Sequence, residues 1–167
     1  MVSILCGRVA VGKTTLAAQM RQQTGAVVLS CDDLMLTIFD GCLGEAHDRT
    51  AMKCLQYLFG LAEQLQELGN DVVIDYGFWL RAERDAARAY FSSRKIAHEI
   101  VLVQTADPVR LERLARRNEA LRNATGRVYR IEGELLTRMD AKFQPIAPDE
   151  PVRLYENTQE RNEIPHV

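Results

Sequence analysis

Two glycines with four residues between them, followed at once by a lysine and two threonines, mark the first chemically distinctive stretch. It reads Gly7-Arg8-Val9-Ala10-Val11-Gly12-Lys13-Thr14-Thr15. Glycine reaches backbone angles closed to other residues, so a loop punctuated this way can turn several N–H groups inward around an anion. A helix starting at Lys13 adds the partial positive charge of its N-terminus. The spacing Gly-x-x-x-x-Gly-Lys-Thr matches the phosphate-binding loop in full. It assigns the stretch from Gly7 to Thr15 to a nucleoside triphosphate, with Lys13 on the β- and γ-phosphates. The Thr14 hydroxyl is expected on Mg²⁺ and Thr15 on the α-phosphate.

Such a loop serves kinases, switches and motors alike, so the rest of the chain must decide. No guanine-specificity motif of the Asn-Lys-x-Asp type is present, which sets aside the GTPase reading. A motor ATPase wants a longer chain and a glutamate after the aspartate of "VVIDYG", where this chain has Tyr76. Carboxylates remain at two strand ends, Asp32 and Asp33 in "VVLSCDD" and Asp75 in "VVIDYG". In an open parallel sheet that edge binds ligands. A carboxylate there can take a proton from an attacking hydroxyl or hold Mg²⁺. One of Asp32 and Asp33 can instead cap the helix that follows, and that structural role is assigned to Asp33. From Arg110 to Arg130 the chain carries seven arginines (Arg110, Arg113, Arg116, Arg117, Arg122, Arg127 and Arg130) against two acids, Glu112 and Glu119. A lid over about 113–130, with a mobile loop at Asn123 to Gly126, would bring positive charge onto the phosphates. A solvated helix face is the plainer reading, and it is the expectation for Arg110 and Arg116.

These groups need a frame to hold them. Val2 to Cys6, Ala26 to Ser30, Asp71 to Asp75, Ile96 to Val103 and a run from Val152 read as strands, apolar without polar alternation. Helices are expected over Lys13 to Gln23, Asp32 to Phe39, Asp48 to Leu68, Leu80 to Phe91, Asp107 to Asn118 and Glu132 to Phe143. Asp107 is read as an N-cap and Pro108 as the first helical residue. Alternating strands and helices with doubly apolar strands imply an α/β fold, a parallel sheet covered on both faces.

The 167 residues fit one domain, 1–167, of ordinary globular composition, 47% hydrophobic and 26% charged. A net charge of −2 does not suit a nucleic-acid coat or a membrane surface. No apolar run approaches the length of a membrane span, and the N-terminal run is too short for a signal sequence, so a cytoplasmic location is expected. Cys6, Cys31, Cys42 and Cys54 lack disulfide or metal spacing and read as reduced thiols. His47, His98 and His166 have no neighbours that suggest catalysis. Phe78 and Trp79 either line an acceptor pocket or pack the core.

The order of motifs (the loop, "LSCDDL", a long helix, "GNDVVIDYGFWLRAER", "RRNEALR" and "FQPIAPDE") resembles the small P-loop kinases of the AAA_33 or zeta-toxin-like group. Chloramphenicol phosphotransferase and the kinase domain of polynucleotide kinase are relatives of that group. The resemblance covers nearly the whole chain. It implies a three-layer P-loop fold with a five-stranded parallel sheet in the order 2-3-1-4-5, and phosphoryl transfer from ATP to a hydroxyl. It implies that Asp32 is the catalytic base and that Asp75 lies near Mg²⁺ or the acceptor. Arg117, with Arg113 and Arg122 as neighbours, would clamp the phosphates. Two positions depart from the group's pattern. Ala10 replaces a glycine common within the loop. Met35 replaces an arginine that in polynucleotide kinase helps hold the acceptor's phosphate, which argues against a nucleic-acid end. The acceptor is therefore expected to be a small molecule with a hydroxyl, lying among residues from Phe39 to Ala51 and Tyr76 to Leu80. A nucleotide or nucleoside kinase and a slow ATP-hydrolysing regulator are the alternatives. The chain is expected to be a monomer or a homodimer.

Overall fold

β1 (Val2–Cys6) is buried along its whole length and is paired on both sides, with β3 (Val72–Asp75) and β4 (His98–Gln104). β2 (Val27–Ser30) adds to β3, and β5 (Arg153–Glu156) to β4. Every pairing is parallel and the sheet order is 2-3-1-4-5. The computed structural model describes residues 1–39, 43–121 and 131–158. Cys42, Arg122, Arg127, Arg130, His166 and the loop expected at Asn123 to Gly126 lie outside the described residues.

Six helices complete the order: α1 (Lys13–Thr24), α2 (Cys31–Phe39), α3 (His47–Glu67), α4 (Arg81–Ser93), α5 (Asp107–Ala120) and α6 (Gly133–Lys142). The two-residue period of a strand sorts side chains to opposite faces. Val2, Ile4 and Cys6 pack with Ile74 and Ile100 against Leu55, Phe59 and Ala62 of α3 and Ala87 and Phe91 of α4. Leu5, Val73, Val101 and Val103 pack against Leu16 and Ala17 of α1. The sheet is thus apolar on both faces because helices cover both, as the lack of alternation in the strands requires. Among the described residues, Cys6, Cys31 and Cys54 are free thiols, the first two fully buried. Burial pushes the Cys6 thiol up to about 11.

Two local readings are corrected. Neither aspartate caps α2: the Ser30 hydroxyl accepts the N–H of Asp33 at 3.1 Å, three residues on, which is the N-cap position. The cap of α5 is Ala106 rather than Asp107, and it makes no side-chain bond. Pro108 does sit in the first turn, and Asp107 spends its carboxylate on arginines instead. No helix among the described residues is long and apolar enough to cross a membrane.

Candidate functional site

The loop between β1 and α1 crosses the C-terminal edge of the sheet. Gly7 has φ 148° and Gly12 has φ 100°, both in the region that favours glycine. Space demands glycine there as well. A Cβ on Gly7 would lie 2.4 Å from the Val103 carbonyl oxygen, and one on Gly12 would lie 2.0 Å from Asn157 Nδ2. Ala10, between them, holds φ 63° despite its methyl group. Val9 and Val11 are buried beneath the loop. Lys13 folds back over it, its ammonium donating to the carbonyls of Gly7 (3.0 Å) and Arg8 (2.9 Å). Burial lowers the Lys13 pKa, while Asp75 and Asp32 pull it back up.

Asp75 ends β3 in register with Leu5 and Ser30, so strand alternation puts it on the α1 face. There the exposed Thr14 hydroxyl acts on its carboxylate and favours the ionised form. Asp75 is buried, and that burial raises its pKa against the pull of Lys13 and Thr14. Asp32 starts α2 one strand further out. Water reaches it, yet the cleft walls surround it enough to raise its pKa, with Lys13 opposing the shift and Asp75 and Asp33 adding to it. His47 at the start of α3 also acts on Asp32. Arg117, in the last turn of α5, is open to solvent on one side; partial desolvation of its guanidinium lowers its pKa, and Asp32 opposes the shift. Lys13, Thr14, Asp75, Asp32 and Arg117 therefore form one electrostatically coupled set. Arg113, one turn before Arg117, places its Nη1 3.8 Å from where a Gly12 Cβ would lie.

Arg110 is not on a solvated face. It is buried, with a two-pronged ion pair to Asp140 of α6 (2.9 and 2.7 Å), a bond to Asp107 (3.1 Å) and a longer one to the Val9 carbonyl (3.4 Å). Asp107 also accepts from Arg8 at 2.5 Å. The plainer reading fails because Asp140, 30 residues on, supplies a partner that local sequence does not reveal. Arg116 is exposed, as expected. Asn118 of "RRN" is buried and donates to the Ile131 carbonyl at 2.7 Å rather than facing the loop.

Phe78 is core, fully buried at φ 46°. Half-buried Trp79 reaches the phosphate loop, its indole N–H donating to the Gly7 carbonyl at 3.1 Å. Arg84 explains how this turn is held. It is wholly buried, paired to Glu150 at 2.7 and 2.8 Å, and donates to the carbonyls of Phe78 and Trp79. Sequence reading also missed Asn157, which follows β5, is buried, and donates to the Val11 carbonyl at 2.9 Å. Nothing in its neighbourhood marks it, since the bond spans 146 residues.

A family model described as an AAA domain (AAA_33) matches residues 2–146. The chain belongs to the AAA_33 family. No curated protein matches the sequence. Among solved structures, the chain is similar to a sugar kinase from Janibacter, with 19% identity, TM-score 0.64, and coverage of 95% of this chain and 86% of that one. It is similar to the APS kinase of Mycobacterium tuberculosis in complex with AMPPNP and APS, with 19% identity, TM-score 0.68, and coverage of 95% and 89%. Chaetomium thermophilum Kti12 in complex with ADP-AlF3 gives 15% identity, TM-score 0.71, and coverage of 95% and 90%. At these identities the likeness establishes the fold, that of the P-loop kinases.

Proposed function

We propose that this AAA_33 chain is an ATP-dependent kinase that transfers the γ-phosphoryl group to a hydroxyl of a small molecule. The observation that carries the reading is the glycine-punctuated loop with Lys13 folded over its carbonyls, beside Asp75 at the end of β3 and Asp32 at the start of α2. The loop from Gly7 to Thr15 cradles the phosphates, and Lys13 meets the charge on the β- and γ-oxygens. Asp32 takes the proton of the acceptor hydroxyl as its oxygen attacks the γ-phosphorus and the bond to the β-phosphate oxygen breaks. Arg117 and Arg113 stabilise the charge on the transferring group.

Mg²⁺ prefers hard oxygen ligands and is commonly held by one or two carboxylates plus substrate phosphates. The Thr14–Asp75 pair offers that chemistry, a hydroxyl beside a carboxylate. Among the described residues no three His, Cys, Asp or Glu side chains gather to hold a metal unaided, which suits an ion that arrives with ATP. When bound, the ion would neutralise phosphate charge.

The test is ADP release from Mg·ATP with and without pooled hydroxyl metabolites, with Lys13→Ala as the blank. One pool should stimulate release. Asp32→Asn should lower the stimulated rate by roughly 10²–10⁴ while leaving ATP affinity nearly unchanged. Release indifferent to every pool would favour a regulator that hydrolyses ATP slowly.

A further inference from the structure

Two buried side chains from outside the loop each hold one of its carbonyls. Arg110 of α5 holds that of Val9, and Asn157 beyond β5 holds that of Val11. A trans peptide is planar, with its C=O and its N–H pointing in opposite directions. Fixing the Val9 carbonyl therefore fixes the direction of the Ala10 N–H, and fixing that of Val11 does the same for Gly12. The residues after each held carbonyl, Ala10 and Gly12, have φ 63° and 100°, whereas Val9 and Val11 do not have positive φ. This alternation of hand is what curls successive N–H groups into an anion-binding concavity. Both anchors are fixed in turn. Arg110 is held by Asp140 and Asp107. The backbone N–H of Asn157 donates to Gln104 at 2.8 Å, and its carbonyl accepts from the Thr105 hydroxyl at 2.9 Å.

We propose that Arg110 and Asn157 are positioning residues for the phosphate loop, holding the carbonyls of Val9 and Val11 so that the N–H groups of Ala10 and Gly12 face the anion. The inference rests on the nucleotide-binding reading of the loop. It assigns a role in phosphate recognition to the segment after β5, which shares no sequence motif with the loop. Val11 is held at 2.9 Å and Val9 at 3.4 Å, so Asn157 has the larger effect.

The test compares Mg·ATP, tripolyphosphate and adenosine binding to the wild-type chain, Asn157→Ala, Asn157→Asp and Arg110→Lys by calorimetry, with backbone amide NMR. Asn157→Ala should weaken ATP and tripolyphosphate by about threefold to tenfold, the equivalent of one hydrogen bond. Asn157→Asp should weaken them further, because it sets an acceptor against the Val11 carbonyl and adds negative charge. Arg110→Lys keeps the charge and should lose less than Asn157→Ala. Adenosine affinity should stay level in all three variants, and the tripolyphosphate-induced shifts of the Ala10 and Gly12 amides should shrink. A purely architectural role would lower Tm and leave the ratio of triphosphate to adenosine affinity unmoved. Folded variants with wild-type tripolyphosphate affinity would overturn the positioning role alone. Absence of any ATP or tripolyphosphate response in the wild-type chain would overturn the nucleotide reading and the positioning role with it.

Discussion

The proposed nucleotide side and the proposed acceptor side of this cleft are built by different means. On the nucleotide side nine consecutive residues form the cradle, and Trp79, Arg110 and Asn157 grip it from three other segments. On the proposed acceptor side Asp32, Tyr76 and His47 arrive singly, from the start of α2, the residue after β3 and the start of α3. Burial pushes the Tyr76 phenol well above the usual range, and the negative charge of Glu83, Asp32 and Asp48 adds to the shift. The contrast has a physical basis. Phosphate is the same in every nucleotide and can be met by one backbone geometry, whereas an acceptor has to be met by side chains assembled for it.

If that division holds, Arg117→Ala should strike the nucleotide side hardest. An arginine that stabilises the transferring phosphoryl group contributes roughly 10³–10⁵ in kcat. The acceptor KM should move far less, and an equal rise in both KM values would break the division. Next in size is the frame shared by both sides. Arg84 and Glu150 are a fully buried pair, and removing one partner of such a pair costs about 3–5 kcal/mol. Arg84→Met should lower stability by that much in urea unfolding. It should also loosen the turn carrying Trp79 without altering Asp32.

Acid titration sharpens the same point. The Arg84 guanidinium, against the opposing effect of burial, holds the Glu150 carboxyl down at about 2. A depressed carboxyl stabilises the fold above its unfolded pKa and loses that contribution as pH falls through the folded value. Melting temperature should therefore decline from about pH 5 toward pH 2, and Glu150→Gln should flatten that limb. Activity should fail earlier on acidification, because the pKa of Asp32 is raised and the proposed base must be ionised to accept a proton. The acid limb of kcat/KM should lie above the ordinary aspartate value of about 3.9 and vanish in Asp32→Asn. The smallest effect is expected at Ala10. A left-handed non-glycine residue costs about 1–2 kcal/mol, and glycine's freedom in the unfolded chain offsets about 0.5–1 of it. Ala10→Gly should therefore stabilise the protein by no more than about 1.5 kcal/mol in urea unfolding.

Where the chemistry is local, the sequence was readable. The loop, the strand order implied by the family resemblance and the two carboxylates at strand ends all lie where their motifs pointed. Arg110 was not readable, because a helical arginine looks the same whether it meets water or an aspartate 30 residues on. Asn157 and the Arg84–Glu150 pair failed for the same reason, as their partners are 146 and 66 residues away. The caps of α2 and α5 went astray because an aspartate near a helix start has several partners to choose from. Asp107 chose Arg8 and Arg110 over its own backbone.

Lys13 carries a lesson of its own. An ammonium group has three hydrogens to give, and two are engaged with Gly7 and Arg8. One is left, and its direction is set before any guest arrives. A flexible four-carbon arm, ordinarily the least disciplined of side chains, becomes a pointer with a single tip. A guanidinium in the same place would bring a flat fork to a socket cut for a tripod, so even Lys13→Arg, with the charge unchanged, should leave the loop without its pointer.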